Sequence, residues 1–454
     1  MNKLEVRYTT LRDAFTLFGG LFYIQVIGFF FGLADVSYLD AAEKDLEGNT
    51  INQICGLITL LVPLFFFIRN KVFLSKSFYR NNAFLLVFML CLAVSISWSY
   101  DPMLSFKRFV AMISVVFFAG FIAYNYSLEK VAFMLGCIIG AAAFLGLIIA
   151  LFRPDIAFVY GGPRDGAFKG IFPEKNAGAR INAIAILLLL PMIRQRNPWA
   201  ILCSLFSLIA IALAQSATAI ALICAGTVSC WYFLTLIRLH INRSWPAFLG
   251  SMIVYVLICF FLYGNYALLL ELTGRDPSLT DRTRIWDLLT PLIDAEFLKG
   301  YGFGAFWSSP SAEVFINRWG YIGNAHSGYM ETLLNGGIVQ LIALILMLVE
   351  ALIKHYRAVM ADQSARFHVS AMVIIGSFML TNYVAYVVPN YRSAEFLVFC
   401  VLALSFRHHH AKRPGLATRP FTSGDCVTLE GVPAANATTF RYLYARVKTL
   451  RKAP

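Results

Sequence analysis

Val131–Leu151 reads VAFMLGCIIGAAAFLGLIIAL, 21 residues without one charged side chain. At about 1.5 Å of rise per residue, such a run makes a helix roughly 31 Å long. That is the thickness of a bilayer's hydrocarbon core. Only helices and closed barrels satisfy every backbone polar group in lipid, and barrel strands alternate apolar with polar residues. This run does not alternate, so it reads as a membrane helix. Similar apolar runs predict helices over 14–34, 51–68, 83–98, 109–124, 177–193, 199–214, 217–236, 246–264, 328–353, 369–388 and 393–406. The expected fold is therefore an all-α polytopic integral membrane protein of about 12 transmembrane helices, with one large loop outside.

Composition agrees. Of 454 residues, 59% are hydrophobic and 14% charged, and the mean hydropathy is +0.68. A soluble domain of this size does not have that balance. The net charge of +13 would point to nucleic acid in a soluble protein. Here it marks loops on the cytoplasmic side, and no nucleic-acid partner is expected. Eight of the nine cysteines, all but Cys426, lie in apolar spans with no paired spacing. They read as small buried hydrophobes, not as disulfides or a metal site. Lys3, Arg7 and Arg12 precede the run 14–34, which is too long for a cleaved signal core and reads as a retained first helix.

With the N-terminus inside, 24 of the 38 Lys and Arg fall on the cytoplasmic side, nine of them in 407–454. The outer segments hold the other 14, and ten of those sit in just two loops, 152–180 and 265–325. The positive-inside bias accounts for the first set and leaves the two loops needing a functional reason. Two domains follow: a membrane domain over 1–406 and a basic tail over 407–454 that clings to anionic inner-leaflet lipid. Both termini are expected in the cytoplasm.

Three constellations carry candidate chemistry. The first is Gly274-Arg275-Asp276-Pro277-Ser278-Leu279-Thr280-Asp281-Arg282-Thr283-Arg284. Ser278, Thr280 or Asp281 can cap a helix that starts there, and a capped N-terminus favours anions. Arg275, Arg282 and Arg284 add planar, bidentate recognition of phosphate oxygens. Arg284 also has Asp281 and Asp287 within helical reach, a purely local pairing. The second runs from Lys169 through Lys175 and Asn176 to Arg180, where the chain re-enters the membrane. Cations at that depth need an anion, either a substrate or a lipid headgroup. Asn176 has a second reading, as a helix cap. The third is Asn324-Ala325-His326-Ser327-Gly328, at the mouth of a long apolar helix.

His326 is the only one of seven histidines on the outer side of this topology. Imidazole titrates near neutral pH and can take a proton from an attacking hydroxyl; an interfacial histidine that only hydrogen-bonds is the plainer reading. Glu331 is the nearest carboxylate, but a five-residue offset points it to another helix face. Ser97-Trp98-Ser99-Tyr100-Asp101-Pro102 reads as a tight outer turn with Trp98 and Tyr100 as interface anchors. Arg108, just inside the next helix, and Arg392 are lesser candidates for the same anionic site.

These motifs resemble the O-antigen ligase and exopolysaccharide polymerase superfamily. The resemblance rests on Gly274-Arg275-Asp276 with Arg282-Thr283 and Ile285-Trp286, on Gly300-Tyr301-Gly302-Phe303-Gly304, on Ala325-His326-Ser327-Gly328 with Gly336-Gly337, and on Gly170-Ile171-Phe172 with Lys175-Asn176 and Gly178. Ser97-Trp98-Ser99 with Asp101-Pro102 is similar to the family's early outer turn. The matches keep the family's order over roughly 95–345. Two positions depart: Gln340 stands where the ligases take a small residue or Tyr, and Asp281 replaces a glycine. The Gly-Arg-Asp and Lys-Asn motifs resemble polymerases of the succinoglycan kind.

The resemblance implies a membrane glycosyltransferase, working without metal or other cofactor at the periplasmic face of the bacterial inner membrane. A polyprenyl-pyrophosphate-linked oligosaccharide is the donor, and a sugar hydroxyl of a glycan acceptor attacks it. His326 and Arg282 are then catalytic, and Arg275, Arg284, Lys169, Lys175, Asn176, Arg180 and Arg108 bind substrate. Membrane lipids and other membrane proteins of a polysaccharide pathway are the expected neighbours. The first alternative is a ligase that transfers the same donor to lipid A core or another acceptor. The second is a non-catalytic transporter of lipid-linked sugars.

Overall fold

A computed structural model describes residues 3–31, 50–160, 165–239, 282–319, 323–361 and 365–404, with eight isolated positions between 241 and 254. Most of the expected helix 246–264, together with Arg275 and the 407–454 tail, lies outside the described residues. So do the capping candidates Ser278, Thr280 and Asp281. Among the described residues the regular secondary structure is helical, apart from one isolated antiparallel bridge between Phe158 and Phe168. Among the described residues, seven helices are long and apolar enough to cross a membrane. The chain is a multi-pass membrane protein.

The principal helices are α1 (Lys3–Tyr23), α2 (Thr50–Arg69), α3 (Ala83–Ser95), α4 (Pro102–Asn125), α5 (Leu128–Phe152), α6 (Lys175–Ile193), α7 (Pro198–Ala214), α8 (Ala217–Arg238), α9 (Arg282–Ala295), α10 (Gly328–Met360), α11 (Ala365–Val384) and α12 (Ala394–Ala403). The run expected as one helix over 14–34 is interrupted. Its helix starts at Lys3 and ends at Tyr23, and a short one follows at Val26–Phe30. Gln25 sits between them in the left-handed region, with φ 68°. Its amide nitrogen donates to Arg392 O at 3.1 Å, a long-range contact invisible to hydropathy.

Polar contacts tie neighbouring helix ends and loops together. Asp13 accepts from Tyr126 Oη at 2.6 Å and lies 3.8 Å from Lys130 Nζ. Lys354 Nζ donates to Asn82 Oδ1 at 3.3 Å. Trp98 Nε1 donates to Lys299 O at 2.9 Å and Gly328 N to Ala385 O at 3.2 Å.

The core is centred on α6, nearly all of which is buried. It packs against α5, α7, α8, α11 and α12. Lipid is as apolar as these side chains, so close packing holds the bundle together more than burial does. The α12 helix is wholly buried and only 10 residues long, about 15 Å at ~1.5 Å per residue. It ends inside the bundle, where its last carbonyls have no helical partner. Lys354 Nζ donates to Ala403 O at 2.7 Å and His355 Nε2 bonds Leu402 O at 3.0 Å. Cationic and N–H donors at a helix C-terminus also oppose its dipole.

The long helix α10 is broken. Gly336 (φ −149°, ψ 18°) and Gly337 (φ 63°, ψ −161°) leave helical geometry. The break frees backbone groups, and the loop 300–304 takes them up. Tyr301 N donates to Leu334 O at 2.7 Å, Gly302 N to Asn335 O at 3.0 Å, and Ile338 N to Phe297 O at 2.8 Å. Gly304 N donates to Asn335 Oδ1 at 2.8 Å. Two glycines are obligatory here. Gly302 has φ 94° with Ser99 directly against it, and a side chain at Gly337 would overlap the Leu298 backbone. Gln340 folds its amide against Gly336, which gives that departure from the family pattern a place in the break.

Gly337→Ala combines a positive-φ extended backbone that is essentially reserved for glycine, disfavoured by about 1–3 kcal/mol, with steric overlap. We expect it to lower the apparent unfolding temperature of detergent-purified protein. Gly376→Ala, on α11 with open space around its Cα, should be neutral or stabilising by up to ~1 kcal/mol. Equal behaviour of the two variants would refute the account of the break.

Candidate functional site

The N-terminal end of α10 carries His326, the third of the sequence-selected constellations. Ser327 caps the helix, and Gly328 lies flat against the Asn382 side chain. Asn382 Oδ1 in turn accepts from Val387 N at 3.2 Å and Val388 N at 2.9 Å, closing the turn after α11. His326 precedes the cap with φ 50°. That left-handed conformation is uncommon for a residue with a side chain, though histidine is among those enriched there. Its backbone N–H donates to Asn324 Oδ1 at 2.9 Å.

Two tryptophans and a buried acid hold this loop. Trp286 Nε1 donates to Ala325 O at 3.0 Å. Trp286 belongs to α9, whose first residue is Arg282. Residues four apart on a helix share a face, so Arg282 lies on the face of α9 that carries Trp286. Arg282 is half-buried and Arg284 is exposed. The apolar face of α9, with Ile285, Leu289 and Ile293, packs on Phe306, Trp307, Phe315 and Leu334. This small separate core fixes the outer loop on the bundle. Glu331 Oε2 accepts from Ala325 N at 2.8 Å, and Trp307 Nε1 donates to the same carboxylate at 3.1 Å. The five-residue offset was expected to turn Glu331 away. The backbone before His326 instead doubles back over the first turn of α10, and the acid meets the loop's main chain.

Arg108 enters from α4. Its guanidinium donates to Gly304 O, the loop that fills the break in α10. Tyr386 lies nearby, in the turn after α11. Desolvation holds its phenol well above the usual value, Glu331 and Tyr391 add to the shift, and Arg108 and Arg392 oppose it. Both lesser cations of the sequence reading thus act electrostatically on one tyrosine. The outer turn before α4 is anchored as well: Asp101 caps α4 through Leu104 N at 2.9 Å, and Tyr100 N donates to Tyr301 O at 3.1 Å.

The second constellation forms its own group. Lys169 and Lys175 line a narrow crevice between α5, α6 and α7, walled mostly by alanines and glycines. Asn182 reaches the same crevice with its Oδ1 buried and unpartnered. Helix α6 begins at Lys175 with Glu174 as its cap position, so Asn176 is not the cap. Its Oδ1 accepts from Ser216 Oγ at 3.1 Å. Arg180 is buried, and its Nε meets Glu395 Oε1 at 2.7 Å. Ser393 Oγ donates to the other carboxylate oxygen at 3.1 Å. The anion that Arg180 needs at this depth is supplied by the protein itself.

Sequence reasoning missed Glu331 as a contact of the loop, together with Trp307, Tyr386 and Asn382. One signal was available: a carboxylate in an otherwise apolar membrane helix is costly and marks function or a specific partner.

The fold is that of a multi-pass membrane protein, and the N-terminal end of α10 carries His326 beside the Trp286 indole of α9. Residues 202–345 match the family described as O-antigen ligase. That segment contains Arg275, Arg282, Arg284, His326, Glu331 and the Gly336-Gly337 break. The chain is also similar to the exopolysaccharide production protein ExoQ of Rhizobium meliloti (strain 1021), 22% identical over 391 residues, which cover 77% of this chain and 87% of that protein. Both findings bear out the resemblance to the O-antigen ligase and exopolysaccharide polymerase superfamily, and support a polysaccharide polymerase- or ligase-type function.

The Arg180–Glu395 pair generates a stability prediction. Arg180→Ala leaves a buried carboxylate uncompensated and should cost about 3–5 kcal/mol. Replacing both partners, as Arg180→Met with Glu395→Leu, should cost much less. Thermal unfolding in detergent compares them, and a double variant as unstable as Arg180→Ala would argue against the pair's structural role.

Proposed function

We propose that this protein is a polysaccharide polymerase. It transfers a polyprenyl-pyrophosphate-linked glycan onto a sugar hydroxyl at the periplasmic face of the bacterial inner membrane. The observation that carries the reading is the Trp286–Ala325 bond, which ties the arginine-bearing helix α9 to the backbone next to His326. A transfer of this kind needs a base for the attacking hydroxyl and cations for the leaving pyrophosphate, close together.

In this reading the His326 imidazole takes the proton of the acceptor hydroxyl as its oxygen bonds to the anomeric carbon. The bond from that carbon to the pyrophosphate oxygen breaks, and the polyprenyl pyrophosphate leaves with the electron pair. Arg282 stabilises the charge that grows on it; fixed donors aimed at developing charge are the largest catalytic contribution in many enzymes. Arg275 and Arg284 extend the same anion site. Arg108 adds positive potential from the bundle side. Lys169, Lys175 and Asn176 serve the lipid-linked substrate where α6 begins. Arg180, neutralised by Glu395, contributes by holding α6 to α12. The site works from these side chains without a metal or other cofactor.

The exopolysaccharide production named for the Rhizobium relative favours a polymerase, with lipid-linked repeat units as donor and acceptor. The O-antigen ligase description of the matched segment favours the second reading, in which the same donor passes to lipid A core or another acceptor. A transporter of lipid-linked sugars would place its cations along a midplane path, whereas these gather in outer loops.

A deletion strain complemented with wild type, His326→Ala, Arg282→Ala or Arg282→Lys tests the reading through its glycan profile. His326→Ala should abolish polymer and accumulate single lipid-linked repeats. Arg282→Ala should slow polymer formation about 10²–10³-fold, and Arg282→Lys should rescue poorly because lysine lacks the planar fork. Polymer that persists on its lipid carrier without reaching a final acceptor would establish the ligase instead. Full complementation by His326→Ala would remove the histidine from the mechanism.

A further inference from the structure

Glu331 is 3% exposed and stands in the first turn of a membrane helix. A carboxylate buried there is unfavourable unless hydrogen bonds satisfy it. Two donors do so, and neither lies on its own helix. Trp307 Nε1 bonds both oxygens, at 3.2 and 3.1 Å, and Ala325 N bonds Oε2 at 2.8 Å. On the other side of the Ala325 Cα, its carbonyl accepts from Trp286 at 3.0 Å. The residue before His326 is therefore gripped at both its N–H and its C=O. Since His326 itself is left-handed, its side-chain direction depends on that grip.

We infer that Glu331 is a positioning residue for His326. Resting on the catalytic reading of His326, it sets the direction in which the imidazole meets the acceptor hydroxyl. The carboxylate holds the main chain, and the indole of Trp307 locks the carboxylate. An acid at this position that served only the helix N-terminus would interact with α10's dipole and have no need of Trp307 or Ala325. A glutamine is the informative replacement. It keeps the shape but offers one acceptor oxygen, and its NH2 faces one of the two donors.

The test uses full-length protein in membranes from the deletion strain, with the lipid-linked repeats accumulated there as donor. Polymer formation is measured per folded molecule, with folded protein quantified by fluorescence-detected size exclusion. Glu331→Gln should lower kcat about 10–100-fold, as expected for a small misplacement of a reacting group. The donor KM should stay within about twofold, and the pH–rate profile should move with the altered setting of His326. Trp307→Phe, which removes one donor and keeps an aromatic ring, should lower kcat in the same direction by less. The two changes together should cost less than the product of their separate effects.

His326→Ala assayed in parallel separates the two levels. Activity in His326→Ala would overturn the catalytic reading on which this inference rests. An inactive His326→Ala beside a Glu331→Gln with wild-type kcat per folded molecule and an unmoved pH profile would overturn the positioning role alone. Should Glu331→Gln yield too little folded protein, Trp307→Phe decides by the same kcat and pH readouts.

Discussion

A helix broken within a membrane bundle leaves carbonyls and N–H groups that lipid cannot satisfy, each costing several kcal/mol if left bare. In this protein the break at Gly336-Gly337 is filled by the backbone of an outer loop. Leu334 O, Asn335 O and Ile338 N find partners at Tyr301, Gly302 and Phe297. The exchange explains the alternation of glycines over 300–304, because main chain must lie against main chain. It also explains why the early outer turn is fixed. Ser105 Oγ donates to Phe303 O at 2.7 Å, and Ser95 Oγ accepts from Phe303 N at 3.2 Å. The loop is bound on two sides, by α10 and by the α3–α4 turn.

Everything around His326 depends on that arrangement. Once residues 300–304 are held, Phe306 and Trp307 are delivered to a small core with α9. The indole of Trp307 then reaches Glu331, and Glu331 reaches the chain before His326. Helix α9 lies on the same core, and its Trp286 closes the group from the other side. The loop before His326 is thus held by packed aromatic rings and buried hydrogen bonds. A rigid supporting shell of this kind is what preorganised catalysis requires.

The cations of the outer face divide by what balances them. Arg180 is neutralised by Glu395 within the bundle, and it joins α6 to α12 at a depth where a lone charge is unfavourable. Lys175 and Lys169 stand over a crevice of small residues with Asn182 at its wall. Arg108 and Arg392 share the neighbourhood of Tyr386. Cations that look alike in the sequence therefore differ in their surroundings, and for Arg180 the distinction comes from a carboxylate far away in sequence.

The sequence by itself determined the membrane class, the helical secondary structure and the order of the motifs. Each rests on local physics: length against bilayer thickness, absence of alternation, and glycine or histidine at fixed spacing. It located helices such as Leu128–Phe152 and Lys175–Ile193 to within a few residues. It also picked out His326 and Arg282, because rare polar residues in an apolar chain are conspicuous. The cap role it offered Asn176 as a second reading does not hold, since the cap position falls two residues earlier, at Glu174. It misjudged Glu331, because helical offset describes a helix face and says nothing of a loop folding back over it. Only the tertiary structure decided that Glu395 neutralises Arg180, that Trp286 and Trp307 converge on Ala325 and Glu331, and that a loop some 30 residues upstream fills the broken helix. Those pairings join groups separated by tens to hundreds of residues, and their partners are chosen by packing and by the need to satisfy buried polar groups, neither of which has a local sequence signature.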